Sequence, residues 1–289
     1  SLDISFAEYL DIKVFIAALW ESIKLFSCSI YIILYIKKFV VYIIMKKIEI
    51  LKVKDDAEKY YTKKKQIFDL PMKLAIIGAS QRSGKTNWII NALGRNKLYG
   101  KDFKPENIYI FSPSLNSNKW QRFIEAKEIP EENLFSQLDE GELEALYEDV
   151  EEEYYEKVDD KKKPPNKIVI FDDLGFGGAL RGKSKFSIID KLVMNGRHFN
   201  LSSAFLVQSY KQLTPDVRGN ISGLVVFNLS TRELESIVHE HNYLENSKAF
   251  MKMFRATTKK KHSNFIINYS NDPENLYMDQ NFIPVKMIE

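Results

Sequence analysis

A chain of 289 residues with a single cysteine, Cys28, cannot build an internal disulfide framework, and that scarcity fits a reducing compartment. Its four histidines show no ligand spacing with one another or with Cys28, which speaks against a structural zinc site. No apolar run reaches the roughly twenty residues that a membrane-spanning helix needs. The run LFSCSIYIILYI, Leu25 to Ile36, stops at Lys37-Lys38 before FVVYIIM resumes. A strong net charge is lacking too, the formal sum being only +3.

That small sum hides a segregation. Residues 131–160 hold fourteen Asp and Glu against one Lys, a balance of −13, so the rest of the chain carries +16. Basic clusters stand at Lys63-Lys64-Lys65, at Arg181, Lys183 and Lys185, and at Lys259-Lys260-Lys261. Such clusters attract polyanions, or simply solvate a surface.

Residues 1–44 read in three ways: a membrane-surface or marginally spanning helix, a helix packed on a partner, or a segment not native to the working protein. Met45 is the first methionine and marks a composition change, which favours the last two over an anchor.

The most informative stretch is LAIIGASQRSGKTNWIINAL, Leu74 to Leu93. A buried strand, Leu74 to Ile77, breaks into small and polar residues and resumes as a helix with Trp88, Ile89, Ala92 and Leu93 on one face. A loop of this kind, Gly78 to Gly84, turns backbone N–H groups inward and ends at a helix N-terminus, where unpaired donors and the helix dipole favour an anion. In G-x-x-x-x-G-K-[ST], Lys85 reaches the β and γ phosphates of a nucleotide and the Thr86 hydroxyl ligates Mg²⁺. Ala79, Ser80, Gln81, Arg82, Ser83 and Gly84 complete the cradle, and alanine stands where the pattern has its first glycine, with Gly78 one residue earlier.

Hydrolysis needs an acid at the metal and a group that orients water. KIVIFDDLG, Lys167 to Gly175, supplies an aliphatic strand ending in Asp172, for the metal, and Asp173, for the water. A third strand, Ser203 to Val207, ends at Gln208, placed to sense the γ-phosphate and the lytic water. NIYIFSPS (Asn107 to Ser114) and GLVVFNLS (Gly223 to Ser230) are further strands, Phe186 to Met194 is a helix candidate, and Thr231 opens another helix as its N-cap. Strands alternating with helices predict an α/β fold, a mostly parallel sheet covered on both faces.

In the acidic block, Leu143, Leu146, Tyr147, Val150 and Tyr154 recur at three- and four-residue spacing, which predicts an amphipathic helix. It reads as an insertion, about 131–163, on a P-loop domain of 45–289. Its charge would repel DNA and meet a basic neighbour, or form a solvated face. The glycine-rich basic loop Gly175 to Lys185 is a candidate contact for a nucleic-acid backbone.

Together, GASQRSGKT, IVIFDDLG and NGRH…SSAFLVQSYKQLTPDVRGN resemble the genome-packaging ATPases of the HerA/FtsK superfamily found in poxviruses, giant DNA viruses and virophages. The resemblance covers about Lys73 to Leu229. It implies an additional-strand, RecA-like P-loop core, ATP and Mg²⁺ as cofactors, and a homo-oligomeric ring that drives double-stranded DNA into a capsid. A capsid or portal-side partner and action in the virion or the cytoplasmic viral factory are implied with it. Lys85, Thr86, Asp172, Asp173 and Gln208 match the family's site positions, although many relatives have Glu where Asp173 stands. Arg197 and Arg218 are candidates for the arginine finger lent between subunits, an intramolecular salt bridge being the competing role for either. A membrane-tethered secretion or conjugation ATPase of the same superfamily, a nucleoside kinase and a non-hydrolysing scaffold are the rival readings.

Overall fold

The computed structural model describes residues 56–79, 83–174, 187–244 and 246–285. The expectations placed on residues 1–44, on Ser80, Gln81 and Arg82, and on the loop Gly175 to Lys185 lie outside them.

Eight strands form one sheet in the order β3-β2-β4-β5-β1-β6-β7-β8. They are β1 (Lys73–Ile77), β2 (Ile108–Phe111), β3 (Leu134–Phe135), β4 (Lys167–Asp172), β5 (Leu201–Val207), β6 (Gly223–Phe227), β7 (Asn264–Asn268) and β8 (Tyr277–Asp279). The first six are parallel to one another, and β7 and β8 close one edge in antiparallel pairings. The expected parallel core is present, with an antiparallel edge that the sequence motifs did not announce.

Both faces of the sheet are buried, which is why the central strands are apolar almost without interruption. On β4, Val169 and Phe171 belong to one core while Ile168 and Ile170 belong to the other. The second of these cores is covered by α1 (Lys85–Gly94) and α2 (Asn118–Lys127). Five helices cover the first: α3 (Glu140–Asp159), α4 (Ile188–Asn195), α5 (Pro215–Asn220), α6 (Thr231–His241) and α7 (Ser247–Thr257).

An aromatic ladder pins the register of four strands. Phe135 stacks on Phe111 at 4.2 Å between ring centroids, Phe111 on Phe171 at 5.5 Å, and Phe171 on Phe205 at 4.9 Å. Each pair is also directly opposed across the sheet. Cross-strand aromatic pairs of this kind resist a slip of one residue, which would turn every side chain to the wrong face. Because Phe171 immediately precedes Asp172, the ladder fixes the level at which the carboxylates leave the sheet.

Several expected elements shift in detail. The acidic segment supplies β3 and the helix α3 that crosses from β3 to β4, and all five predicted apolar positions of α3 are buried in the core. It is therefore built into the sheet rather than appended to it, and only its charged face looks outward. Strand β5 begins at Leu201, two residues before the expected start, because Leu201 and Ser202 are as buried as the rest. Helix α4 starts at Ile188 behind a capping box in which Ser187 and Asp190 satisfy each other's backbone N–H groups. For α6 the cap is Ser230, whose side chain accepts from the Glu233 N–H, and Thr231 is the first helical residue instead. Trp88 is only half-buried, whereas Ile89, Ala92 and Leu93 form the core face of α1.

Candidate functional site

Strands β4, β5 and β1 are neighbours, so the segments leaving their carboxyl ends meet at one edge of the sheet. The chain leaves β1 toward β2 on one side, while β6 lies on the other, which makes this the crevice where open α/β sheets bind ligands.

After β1 the loop runs from Gly78, whose N–H donates to the Val207 carbonyl at 3.1 Å, to Gly84 at the cap of α1. Gly84 has φ 118°, a left-handed conformation that glycine adopts without penalty. A Cβ there would also stand 2.9 Å from Cε1 of Phe227. The side chain of Lys85 turns back, and its ammonium donates to the Gly78 carbonyl at 3.0 Å. Ser83 Oγ is buried with no hydrogen-bond partner among the described residues, an unsatisfied hydroxyl in the middle of a loop suited to phosphate.

At the end of β4, Asp172 is 4% exposed. Its Oδ2 accepts from the Trp120 indole at 2.9 Å, and Thr86 Oγ1 stands 3.4 Å from the same oxygen. Burial pushes the Asp172 carboxyl up, against the lowering effect of the Trp120 hydrogen bond. Burial likewise pulls the Lys85 ammonium down, opposed by Asp173 and then Asp172. The pair thus sits in a poorly solvated place, where charge on a ligand is felt strongly. Thr86 and Asp172 offer two hard oxygen donors side by side, the kind of partial ligand set that suits Mg²⁺, an ion that keeps waters and substrate phosphates as its other ligands. No cluster of three or more His, Cys, Asp or Glu able to cage a metal occurs among the described residues.

Asp173 leaves the strand with φ 54°, also left-handed, which aspartate tolerates better than most residues. The Gln208 side-chain amide donates to its Oδ1 at 2.8 Å. Gln208 itself is held by Gln212, whose Oε1 accepts from the backbone N–H groups of Gln208 at 2.8 Å and Ser209 at 3.0 Å. Lys85, Thr86, Asp172, Asp173 and Gln208 are therefore brought together as expected. Trp120 and Gln212 are additions that sequence reasoning missed. Trp120 is 52 positions from Asp172 on an ordinary amphipathic helix, and only the chemistry of its indole N–H would have flagged it.

The two arginines are not brought to this site. Arg197 is exposed just before β5, at the opposite edge of the sheet, where the Lys73 ammonium at the start of β1 is lowered to about 8 by burial and then by the charge of Arg197. Arg218 is engaged within the chain, with Nε 3.4 Å from Glu240 Oε2 and its guanidinium over the Tyr210 ring at 5.2 Å. Among the described residues, no helix is long and apolar enough to cross a membrane.

The chain is similar in structure to EssC (ATPases 2 and 3) from Geobacillus thermodenitrificans, with TM-score 0.50 and 14% identity over 75% of this chain and 40% of that one. It also matches the genome packaging NTPase B204 from Sulfolobus turreted icosahedral virus 2 in complex with AMP, with TM-score 0.48 and 16% identity over 75% of this chain and 98% of that one. A third likeness is to the pCW3 conjugation coupling protein TcpA, with TM-score 0.46 and 12% identity over 69% and 58%. No curated protein sequence matches the chain. At 14% identity the EssC likeness, with its TM-score of 0.50, supports the P-loop α/β fold and no more. The sequence model for the Poxvirus A32 protein, in contrast, matches residues 58–278, from just before the first strand to the last, and the chain belongs to that family.

Proposed function

We propose that this chain is an ATPase that drives double-stranded DNA into a viral capsid. The observation that carries the reading is the meeting of three strand ends: the loop and Lys85 after β1, the paired aspartates after β4, and Gln208 after β5 within hydrogen-bond reach of Asp173. The loop N–H groups and Lys85 bind the triphosphate. Thr86 and Asp172 would hold Mg²⁺, which when bound would supply positive charge against the triphosphate. Asp173 accepts a hydrogen bond from the attacking water and aims it at the γ-phosphorus, and Gln208 holds the aspartate and water in line. A kinase would need an acceptor pocket in place of that water, so two acid groups and an amide around the γ position favour hydrolysis.

The basic clusters outside α3 supply backbone contacts to DNA, and copies of the chain form a ring that lends each site an arginine and docks on a capsid-side protein. The test is hydrolysis of ATP by the purified chain with and without duplex DNA. Stimulation that weakens steeply as salt rises, with little dependence on base sequence, is the expected result. Transfer of phosphate to a nucleoside, or no hydrolysis at all, would overturn the reading.

A further inference from the structure

The antiparallel edge of the sheet has a topological consequence. A strand that runs against its neighbours begins where they end, so the connection entering β7 lies at the edge where β6 and β1 finish, beside the phosphate loop. In register, Asn264 at the start of β7 pairs with Phe227 at the end of β6, and Phe227 is the ring that closes on Gly84. The connection is the turn Thr258 to Ser263, containing Lys259-Lys260-Lys261-His262. It is tied off internally, with the Ser263 N–H and hydroxyl both donating to the Lys260 carbonyl at 3.1 and 2.6 Å, and Thr258 Oγ1 donating to the Phe254 carbonyl at 2.9 Å.

His262 projects from this turn to the phosphate loop. Its Nδ1 stands 3.2 Å from the carbonyl oxygen of Ser83, 179 positions away in the chain. A carbonyl can only accept, so Nδ1 carries the proton and donates. His262 also has φ 66°, a left-handed conformation uncommon for a residue with a side chain. A strained, exposed residue whose side chain makes one long-range bond, to the peptide between Ser83 and Gly84, is suited to hold that peptide in place. The carbonyl of this peptide faces His262, which turns its N–H, that of Gly84, the other way.

We propose that His262 is a positioning residue of the nucleotide site: it holds the Ser83–Gly84 peptide so that the Gly84 N–H is pre-aimed at the nucleotide's phosphates. The turn it anchors carries three exposed lysines, whose charge favours the same anion from the rim. This rests on the reading of the loop as an ATP site and adds to it a support from the far end of the chain.

The experiment compares His262→Gly and His262→Asn in the full chain by steady-state ATP hydrolysis, by titration with a fluorescent ATP analogue and by thermal melting. Glycine keeps the left-handed backbone and removes the donor. Asparagine tolerates the same backbone and keeps an N–H donor. His262→Gly is expected to raise KM and the analogue's Kd about five- to tenfold, the effect of one ordinary hydrogen bond, with kcat within about twofold of the parent. His262→Asn should recover most of that loss, and the two variants should melt at similar temperatures. Unchanged affinity in His262→Gly, or an equal loss in both variants, would overturn the proposal. Lys85→Ala is run alongside: if the parent hydrolyses ATP and Lys85→Ala does not, the site stands whatever His262 does, and if the parent does not hydrolyse ATP, the reading of the site itself fails.

Discussion

The side-chain amide of Gln208 donates to Oδ1 of Asp173 at 2.8 Å, joining the end of β5 to the end of β4 across a sequence separation of 35 residues. The bond couples the group expected to sense the γ-phosphate to the group expected to aim water at it. Together with the left-handed backbone at Asp173 it fixes the orientation of this carboxylate.

Replacing that carboxylate should stop hydrolysis while leaving nucleotide binding in place. Asp173→Asn keeps the size of the side chain and removes the charge and basicity that orient water, so kcat should fall by about 10²–10⁴-fold. The check is single-turnover hydrolysis beside equilibrium binding of an ATP analogue. Turnover within about tenfold of the parent would remove Asp173 from the chemistry.

Trp120→Phe isolates one hydrogen bond in the buried part of the site. The ring volume is largely kept, but Oδ2 of Asp172 loses its indole donor. Leaving a buried carboxylate short of a partner should cost about 1–3 kcal/mol of stability, and it should weaken Mg²⁺-dependent nucleotide binding. Denaturant melts, together with a Mg²⁺ titration of analogue binding, read the two effects separately. A variant with the parent's midpoint and Mg²⁺ dependence would show the bond to be idle.

Much of this site is legible in the sequence because each part is written locally. LAII, KIVIF and SSAFLV are strand-like runs that stop at Gly78, Asp172 and Gln208, and a buried strand in a parallel sheet delivers the residues after it to the ligand edge. The parts that escaped are those that depend on distant pieces meeting. Trp120 looks like a core residue of any amphipathic helix, and nothing near it in sequence points to Asp172. His262 comes after three lysines in a stretch that reads as a solvated turn, and only the reversed direction of β7 brings it to Ser83. The strand NFIIN has only three apolar residues, set between asparagines, and does not announce itself. In the acidic segment the apolar stripe was legible as a helix face, and what stayed hidden is the two-residue strand Leu134–Phe135 that ties the segment to the sheet.

Gly84→Ala tests the cradle from the side of the backbone. A side chain at φ 118° is strained, and its Cβ would meet the Phe227 ring at 2.9 Å. The loop must open or the ring must move, so ATP affinity should fall at least about tenfold, with a loss of stability of about 1–3 kcal/mol. Isothermal titration with ATP and a thermal melt check both. Parent-like affinity would mean that the loop's backbone does not grip phosphate.

A pH dependence of stability arises from His241, which is 5% exposed. Tyr210 donates its hydroxyl to Glu240 at 2.6 Å, so at 2.5 Å it accepts from Nε2 of His241, and the unprotonated Nδ1 accepts from Tyr269 at 2.5 Å. This assignment suits a neutral ring. Burial lowers the His241 pKa to about 4, partly opposed by Glu240 and reinforced by Arg218. The unfolded chain takes up a proton near the usual 6.5 and the folded one does not, so stability is full above about pH 6.5 and is lost as pH falls toward 4, by on the order of 3 kcal/mol. Urea melts from pH 7.5 to 4.5 should show this slope, and His241→Gln should flatten it. An equally steep slope in the variant would place the effect elsewhere.

The choice between the two arginines can be argued from position. Arg218 is committed within its own chain to Glu240 and to the Tyr210 ring. Arg197 is exposed at the edge of the sheet opposite its own nucleotide loop, so any phosphate it reaches belongs to a neighbouring copy. Arg197→Ala should therefore abolish DNA-stimulated hydrolysis with little effect on melting, while Arg218→Ala should lower stability by about 1 kcal/mol and spare a share of the activity. Mixing is the decisive measurement. Arg197→Ala subunits keep an intact loop but lend no arginine, and Lys85→Ala subunits lend the arginine but cannot hydrolyse. A ring containing both has interfaces where an intact loop faces an intact arginine, and activity should reappear there. Mixtures that stay as inactive as either parent, with mixed rings demonstrated by co-purification of tagged subunits, would remove Arg197 from the role.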